Sequence, residues 1–125
     1  MWADTANRRE LHLVSDKVIV GDGMIGRAME HVRGLRGTIV YAAGVSNSSC
    51  TDQREFDRER ERLIEALRKP GLFIYFSTAS VEDRPYTAHK LAMEELVRER
   101  GQYLIARLSI VAGRTANPHT LLNFL

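Results

Sequence analysis

The chain has 125 residues, 44% of them hydrophobic and 27% charged, with a formal net charge of +2. That is enough chain to bury a core, and too little for separate nucleotide-binding and substrate-binding domains of roughly 100 residues each. The composition excludes intrinsic disorder, the near-balanced charge gives no pull toward nucleic acid, and no apolar run approaches the ~20 residues of a membrane-spanning helix.

Residues 1–16 form an N-terminal extension that is polar at its start and lacks the apolar core of a secretory signal, so a cytoplasmic protein is expected. Within it, residues 11–14 alternate weakly, as either an edge strand or an ordered tail. Val18-Ile19-Val20 is a short β-branched run that reads as a buried strand, broken by Gly21-Asp22-Gly23. Ile25, Met29 and Val32 then follow helical spacing over 24–32, with Gly34 and Gly37 at the end. A second buried strand runs over 38–43 and closes at Gly44. In the polar loop that follows stands Cys50, the single cysteine. It excludes an internal disulfide framework and any multi-cysteine metal site.

Asp52 is placed to cap a helix over 53–69 with Phe56, Leu63, Ile64 and Leu67 as its apolar stripe. Its stretch 54–62 alternates arginines and acids and reads as a solvated face. Pro70-Gly71 ends it. A third all-apolar strand, 72–76, stops at Ser77-Thr78. A turn through Pro85 leads into a helix over 86–100, ended by Gly101, and a fourth strand over 103–111. Asn117-Pro118 then looks like the start of a last helix over 120–125. Strands apolar on both faces and alternating with helices predict one α/β domain with a parallel sheet.

Two groups of residues suggest chemistry. Gly21-x-Gly23-x-x-Gly26 lies at a strand-to-helix junction. Gly21 would permit the tight turn, Gly23 the approach of a pyrophosphate to the backbone, and Gly26 close helix–strand packing. The anion would sit at the helix N-terminus. No acid stands at the end of the next strand, where dinucleotide sites usually hold the ribose. The second group is Tyr86 and Lys90, four residues apart and so on one helix face, where an ammonium would stabilise a phenolate and lower the phenol's pKa. Ser77, Thr78 and Ser80 offer a hydroxyl at the end of the preceding strand. His89 is expected at the surface or in packing.

In order along the chain, the glycine turn, Ala42-Ala43-Gly44 after a strand, Ser77-Thr78 after a strand and Tyr86-x-x-x-Lys90 on a helix resemble the short-chain dehydrogenase/reductase superfamily. The match is to its extended or atypical branch of NAD-dependent epimerases and dehydratases acting on nucleotide sugars. Arg107-Leu108 and Val111-Ala112-Gly113 are similar to that branch's strand near the nicotinamide. Ala43-Gly44-Val45-Ser46-Asn47-Ser48, Tyr75-Phe76-Ser77-Thr78 and Asn117-Pro118-His119 resemble a compact bacterial subgroup tied to surface-polysaccharide synthesis. The resemblance spans residues 17–125.

It implies a Rossmann-like NAD(P)-binding domain with NAD or NADP as cofactor. Tyr86 would be the general acid/base. Lys90 would lower its pKa and hold the nicotinamide ribose, and Thr78 would bond the substrate oxygen. Gly21, Gly23 and Gly26 would face the pyrophosphate, with Ala42, Ala43 and Gly44 along the adenine and ribose. The sequence departs from the pattern in three ways. Val20 stands where the branch usually has its first glycine. Only about a dozen residues separate Gly26 from Ile39, so the usual second and third strands are missing and an abbreviated sheet of about four strands is expected. Thr78 and Tyr86 are close in sequence, and the chain ends where a substrate domain would begin. With consecutive parallel strands as neighbours, right-handed crossovers would put every linking helix on one face and leave the other to be covered, which predicts a homodimer. A non-catalytic, degenerate Rossmann-like module is the alternative.

Overall fold

The computed structural model describes residues 11–14, 17–45 and 49–109. Five strands form one sheet: β1 (Leu11–Val14), β2 (Lys17–Val20), β3 (Thr38–Tyr41), β4 (Leu72–Thr78) and β5 (Tyr103–Leu108). They lie in sequence order, β1 antiparallel to β2 and the other four parallel. This is the expected α/β sheet of four parallel strands, and residues 11–14 are an edge strand rather than a tail. No strand intervenes between β2 and β3 among the described residues.

Three helices connect the parallel strands: α1 (Met24–Met29), α2 (Gln53–Ala66) and α3 (Pro85–Arg100). Asp52 caps α2 as expected, its carboxylate accepting from the Arg54 amide at 2.9 Å. Pro85 begins α3 one residue before the expected start, because proline's fixed φ suits the first helical position and its missing N–H costs nothing there. β4 runs two residues past its apolar segment, since Ser77 and Thr78 continue the ladder opposite Arg107 and Leu108. α1 stops at Met29, short of Val32. The expected helix over 120–125, residues 110–111 of the last expected strand, and Asn117-Pro118-His119 lie outside the described residues.

Strand alternation divides the core into two layers. Val20, Ile39, Tyr41, Phe73 and Tyr75 pack against Leu63 and Ala66 of α2 and Met93 and Val97 of α3. Ile19, Val40 and Ile74 face the other way, against Met29 of α1, Leu35 and Phe76. The linking helices therefore do not share one face: α1 stands opposite α2 and α3. The β2–α1–β3 unit steps in the same direction across the sheet as the next two units but crosses on the other side, so it has the opposite hand.

Two contacts hold α1 there. Lys17, on the same face of β2 as Ile19, is 1% exposed, and its ammonium donates to the carbonyl oxygens of Glu30 and Val32 just beyond the helix. At the other end, a Cβ on Gly26 would come 2.6 Å from the Gly21 carbonyl oxygen and 3.7 Å from Ile19 Cγ2, so only glycine lets the helix lie this close to its strand.

Candidate functional site

Because β2, β3 and β4 are parallel, their carboxyl ends share one edge of the sheet. Gly21, Ala42-Ala43-Gly44 and Ala79-Ser80 therefore leave the sheet on the same side. At that edge the chain leaving β2 turns to one face with α1, and the chain leaving β3 turns to the other with α2. Such a divergence marks the crevice position outside the strand ends, the usual place for a ligand in an open α/β sheet.

The glycine turn lines the crevice on the β2 side. Gly21 has φ +110° and lies against β3's exit: a Cβ there would come 2.7 Å from the Ala42 carbonyl carbon and oxygen and 2.9 Å from the Ala43 nitrogen. Nothing lies within 4 Å of a Cβ on Gly23, so the turn is open at its second glycine. Gly23 caps α1 with no side-chain hydrogen bond. Gly21 thus makes the tight turn and Gly26 the close helix–strand packing expected of them. α1 spans only six residues, which leaves it little dipole to offer an anion.

On the β3 side, Gly44 rests directly on a buried polar cluster. A Cβ on Gly44 would come 2.6 Å from both Lys90 Nζ and Glu59 Oε2. Lys90 is 2% exposed, and its ammonium donates to Glu59 Oε1, Glu59 Oε2 and the Tyr75 hydroxyl, each at 3.3 Å. Glu59 also accepts from the Val45 amide at 3.0 Å, the Tyr75 hydroxyl at 2.6 Å and His89 Nε2 at 2.8 Å. The His89 ring stacks on Phe56 with centroids 4.4 Å apart. His89 is thus a buried packing residue that also carries a polar contact. Tyr86 joins the cluster through its ring, whose centroid lies 5.7 Å from Lys90 Nζ.

The electrostatics differ from the expectation for the pair. Burial would raise the Glu59 carboxyl, but hydrogen bonds from His89, Tyr75 and Val45 and the charge of Lys90 outweigh it and hold the carboxyl at about 2. Burial pulls the Lys90 ammonium below its ordinary pKa, opposed by the charge and hydrogen bonds of Glu59. The Tyr86 phenol is pushed up to about 12, by burial first and by the Glu59 charge second. Lys90 therefore does not lower the pKa of Tyr86 here: its charge is already compensated by Glu59, and the phenol keeps its proton at neutral pH.

Thr78 is not drawn into this cluster. Its hydroxyl accepts from the Ser80 amide at 3.1 Å and makes no hydrogen bond to Tyr86 or Lys90. It follows Ile74 and Phe76 on the α1 face of β4. Ser77 lies on the α3 face and donates to Glu94 Oε2 at 2.6 Å. Ser80 accepts from the Glu82 amide at 3.2 Å. Glu94, fully buried, also binds Arg107 at 2.6 Å and Arg98 at 3.0 Å, so this second ion cluster ties α3 to β4 and β5. A groove of about 460 Å³ along β5, lined by Arg98, Tyr103, Leu104, Ile105 and Arg107, lies away from the crevice. Both of its arginines are held by Glu94.

Glu59 and Tyr75 were invisible as site residues in the sequence, the one inside a charge-alternating run and the other inside an apolar strand. A signal for Glu59 did exist: it lies three residues after Phe56 and four before Leu63, on the apolar stripe of α2, where an acid needs a buried partner. No family model matches the chain, and no curated protein or solved structure matches it either.

Proposed function

We propose that the chain is an NAD(P)-dependent epimerase/dehydratase-like oxidoreductase domain that acts on a nucleotide sugar. The observation that supports this best is the divergence of the chain at the carboxyl ends of β2 and β3, with the open turn at Gly23 on one side and Gly44 resting on Lys90 on the other. The residues present fit a dinucleotide: Gly23 leaves room for a pyrophosphate, and Ala42, Ala43 and Gly44 offer backbone without bulk where adenine and ribose would run. When bound, the nicotinamide supplies the redox chemistry. Tyr86 holds a proton at its hydroxyl and would be the group that gives it to a substrate oxygen. Lys90 would hold the ribose, and Thr78 would orient the sugar. The reading implies a cytoplasmic homodimer, with surface-polysaccharide synthesis as its setting. In the described residues, no helix is long and apolar enough to cross a membrane.

A second reading, a nucleotide-binding or interaction module that turns nothing over, is favoured by one observation. The three N–H groups of Lys90 have acceptors within the protein, at Glu59 and Tyr75.

Calorimetric titration with NAD and with NADP, on the native chain and on Tyr86→Phe and Lys90→Met, separates the two. The proposal expects one dinucleotide to bind, Tyr86→Phe to bind it equally well without turning over nucleotide sugar, and Lys90→Met to lose both turnover and tight binding. No binding at millimolar dinucleotide would remove the enzyme reading for this chain. Binding without reduction of the cofactor by any nucleotide sugar would leave the module.

A further inference from the structure

The geometry points to Glu59 as the positioning residue of the crevice: it holds the Lys90 ammonium against Gly44 and fixes the backbone at Val45. The inference deepens the reading proposed above, because a lysine that is to face a cofactor must be both charged and held in place. An ionised carboxylate has about four lone-pair sites. Those of Glu59 take the Val45 amide, His89 Nε2, the Tyr75 hydroxyl and the Lys90 ammonium, at 2.6 to 3.3 Å. Since a carboxylate only accepts, His89 Nε2 carries the shared proton, and Tyr75 gives its proton to Glu59 while its oxygen accepts from Lys90.

One side chain of α2 therefore joins the β3–α2 loop, β4 and α3. Among the described residues, the elements around Lys90 supply three phenols, one imidazole and this one acid: Tyr75 from β4, Tyr86 and His89 from α3, and Tyr41 of β3, whose hydroxyl donates to the Glu59 carbonyl oxygen at 3.3 Å. Without the carboxylate, burial would pull the ammonium further below its ordinary pKa and leave Nζ with no anionic partner. Gly44 is required for the same reason, because any side chain there would enter the space between Glu59 Oε2 and Lys90 Nζ.

The chain has three lysines, Lys17, Lys69 and Lys90, so 13Cε-lysine labelling gives three resonances that can be titrated one by one. In Glu59→Gln the Lys90 midpoint is expected to fall by about one pH unit or more, a tenfold or greater loss of proton affinity. Glu59→Asp is expected to restore part of it. An unchanged Lys90 midpoint in folded Glu59→Gln overturns the assignment. If Glu59→Gln does not fold, Glu59→Gln combined with Lys90→Met decides. Recovery of the cooperative unfolding transition supports the coupling, and a double variant no more stable than the single one overturns it. The lysine titration needs no cofactor, so its outcome stands apart from the nucleotide reading. If the native chain binds neither NAD nor NADP, the nucleotide reading fails while the Lys90 shift still decides the role of Glu59. If the native chain binds one of them, Glu59→Gln should weaken that binding at least tenfold.

Discussion

Gly23 and Gly44 stand on opposite walls of the crevice and have opposite steric surroundings. An added Cβ meets nothing within 4 Å at Gly23, whose φ of −75° any residue can adopt. Gly23→Ala is therefore expected to keep the stability of the native chain to within about 0.5 kcal/mol in urea unfolding, while abolishing dinucleotide binding by filling the pyrophosphate's space. At Gly44 the Cβ would press on two side-chain ends locked by the cluster beneath. Gly44→Ala is expected to cost about 1–3 kcal/mol, as overpacking of a tight site does. Equal stability of the two variants would mean that the Glu59–Lys90 pair yields easily, and unaltered binding by Gly23→Ala would place the ligand elsewhere. The Tyr86–Lys90 spacing was legible from the sequence, because four residues on a helix always share a face. The charge state of the pair was not, because it depends on an acid 31 residues before Lys90 that only the packing of α2 on α3 brings to it.

At the scale of elements, α1 is the weakest piece and also the one that shapes the crevice. It has six residues, too few to be stable from its own hydrogen bonds, and depends on its anchors. The main one is Lys17, buried on β2 and bonded to the carbonyls of Glu30 and Val32. Lys17→Met keeps the volume but removes the donors, with an expected cost of about 2 kcal/mol for charge-assisted bonds lost to buried acceptors. Amide exchange should show where: protection is expected to fall in α1 and stay in β3, β4 and α3. A uniform loss across the sheet would show that Lys17 supports the whole core instead. Hydropathy patterning gave α2, α3 and the parallel strands nearly to their ends, since their apolar spacing is regular and their caps, Asp52, Pro85 and Gly101, are explicit. It overextended α1, because Val32 keeps the helical spacing after the hydrogen bonding has ended.

For the whole molecule, the uneven distribution of helices leaves the β5 end of one face open. On the face opposite α2 and α3, Ile19, Val40 and Ile74 are buried with Met29, Leu35 and Phe76 packed on them, and the apolar side chain left open is Leu104, the neighbour of Ile74 on β5. Of the described helices only α1 stands there, and Leu104 is 52% exposed. The homodimer proposed with the function would use this β5 end, where a second copy would bury Leu104. Light scattering is expected to give twice the chain mass at micromolar concentration, and Leu104→Glu to shift it to the monomer. A native chain that stays monomeric there would count against the dimer.

Amino-acid order is sufficient to dictate a parallel α/β sheet, because β-branched runs bounded by glycine can only be buried strands and the segments between them repeat at helical spacing. It also places a glycine turn and a Tyr–Lys pair at the carboxyl ends of those strands, since both follow from position along the chain. The side of the sheet on which α1 lies could not be read in the same way. Successive connections between neighbouring parallel strands normally cross with one hand, and here Lys17 and Gly26 hold α1 to the face opposite α2 and α3. That reversal makes the chain diverge between β2 and β3, and the divergence creates the crevice. Likewise a glutamate inside a charge-alternating helix looks solvated until tertiary packing turns it inward, where burial makes an ion pair with Lys90 the only stable arrangement.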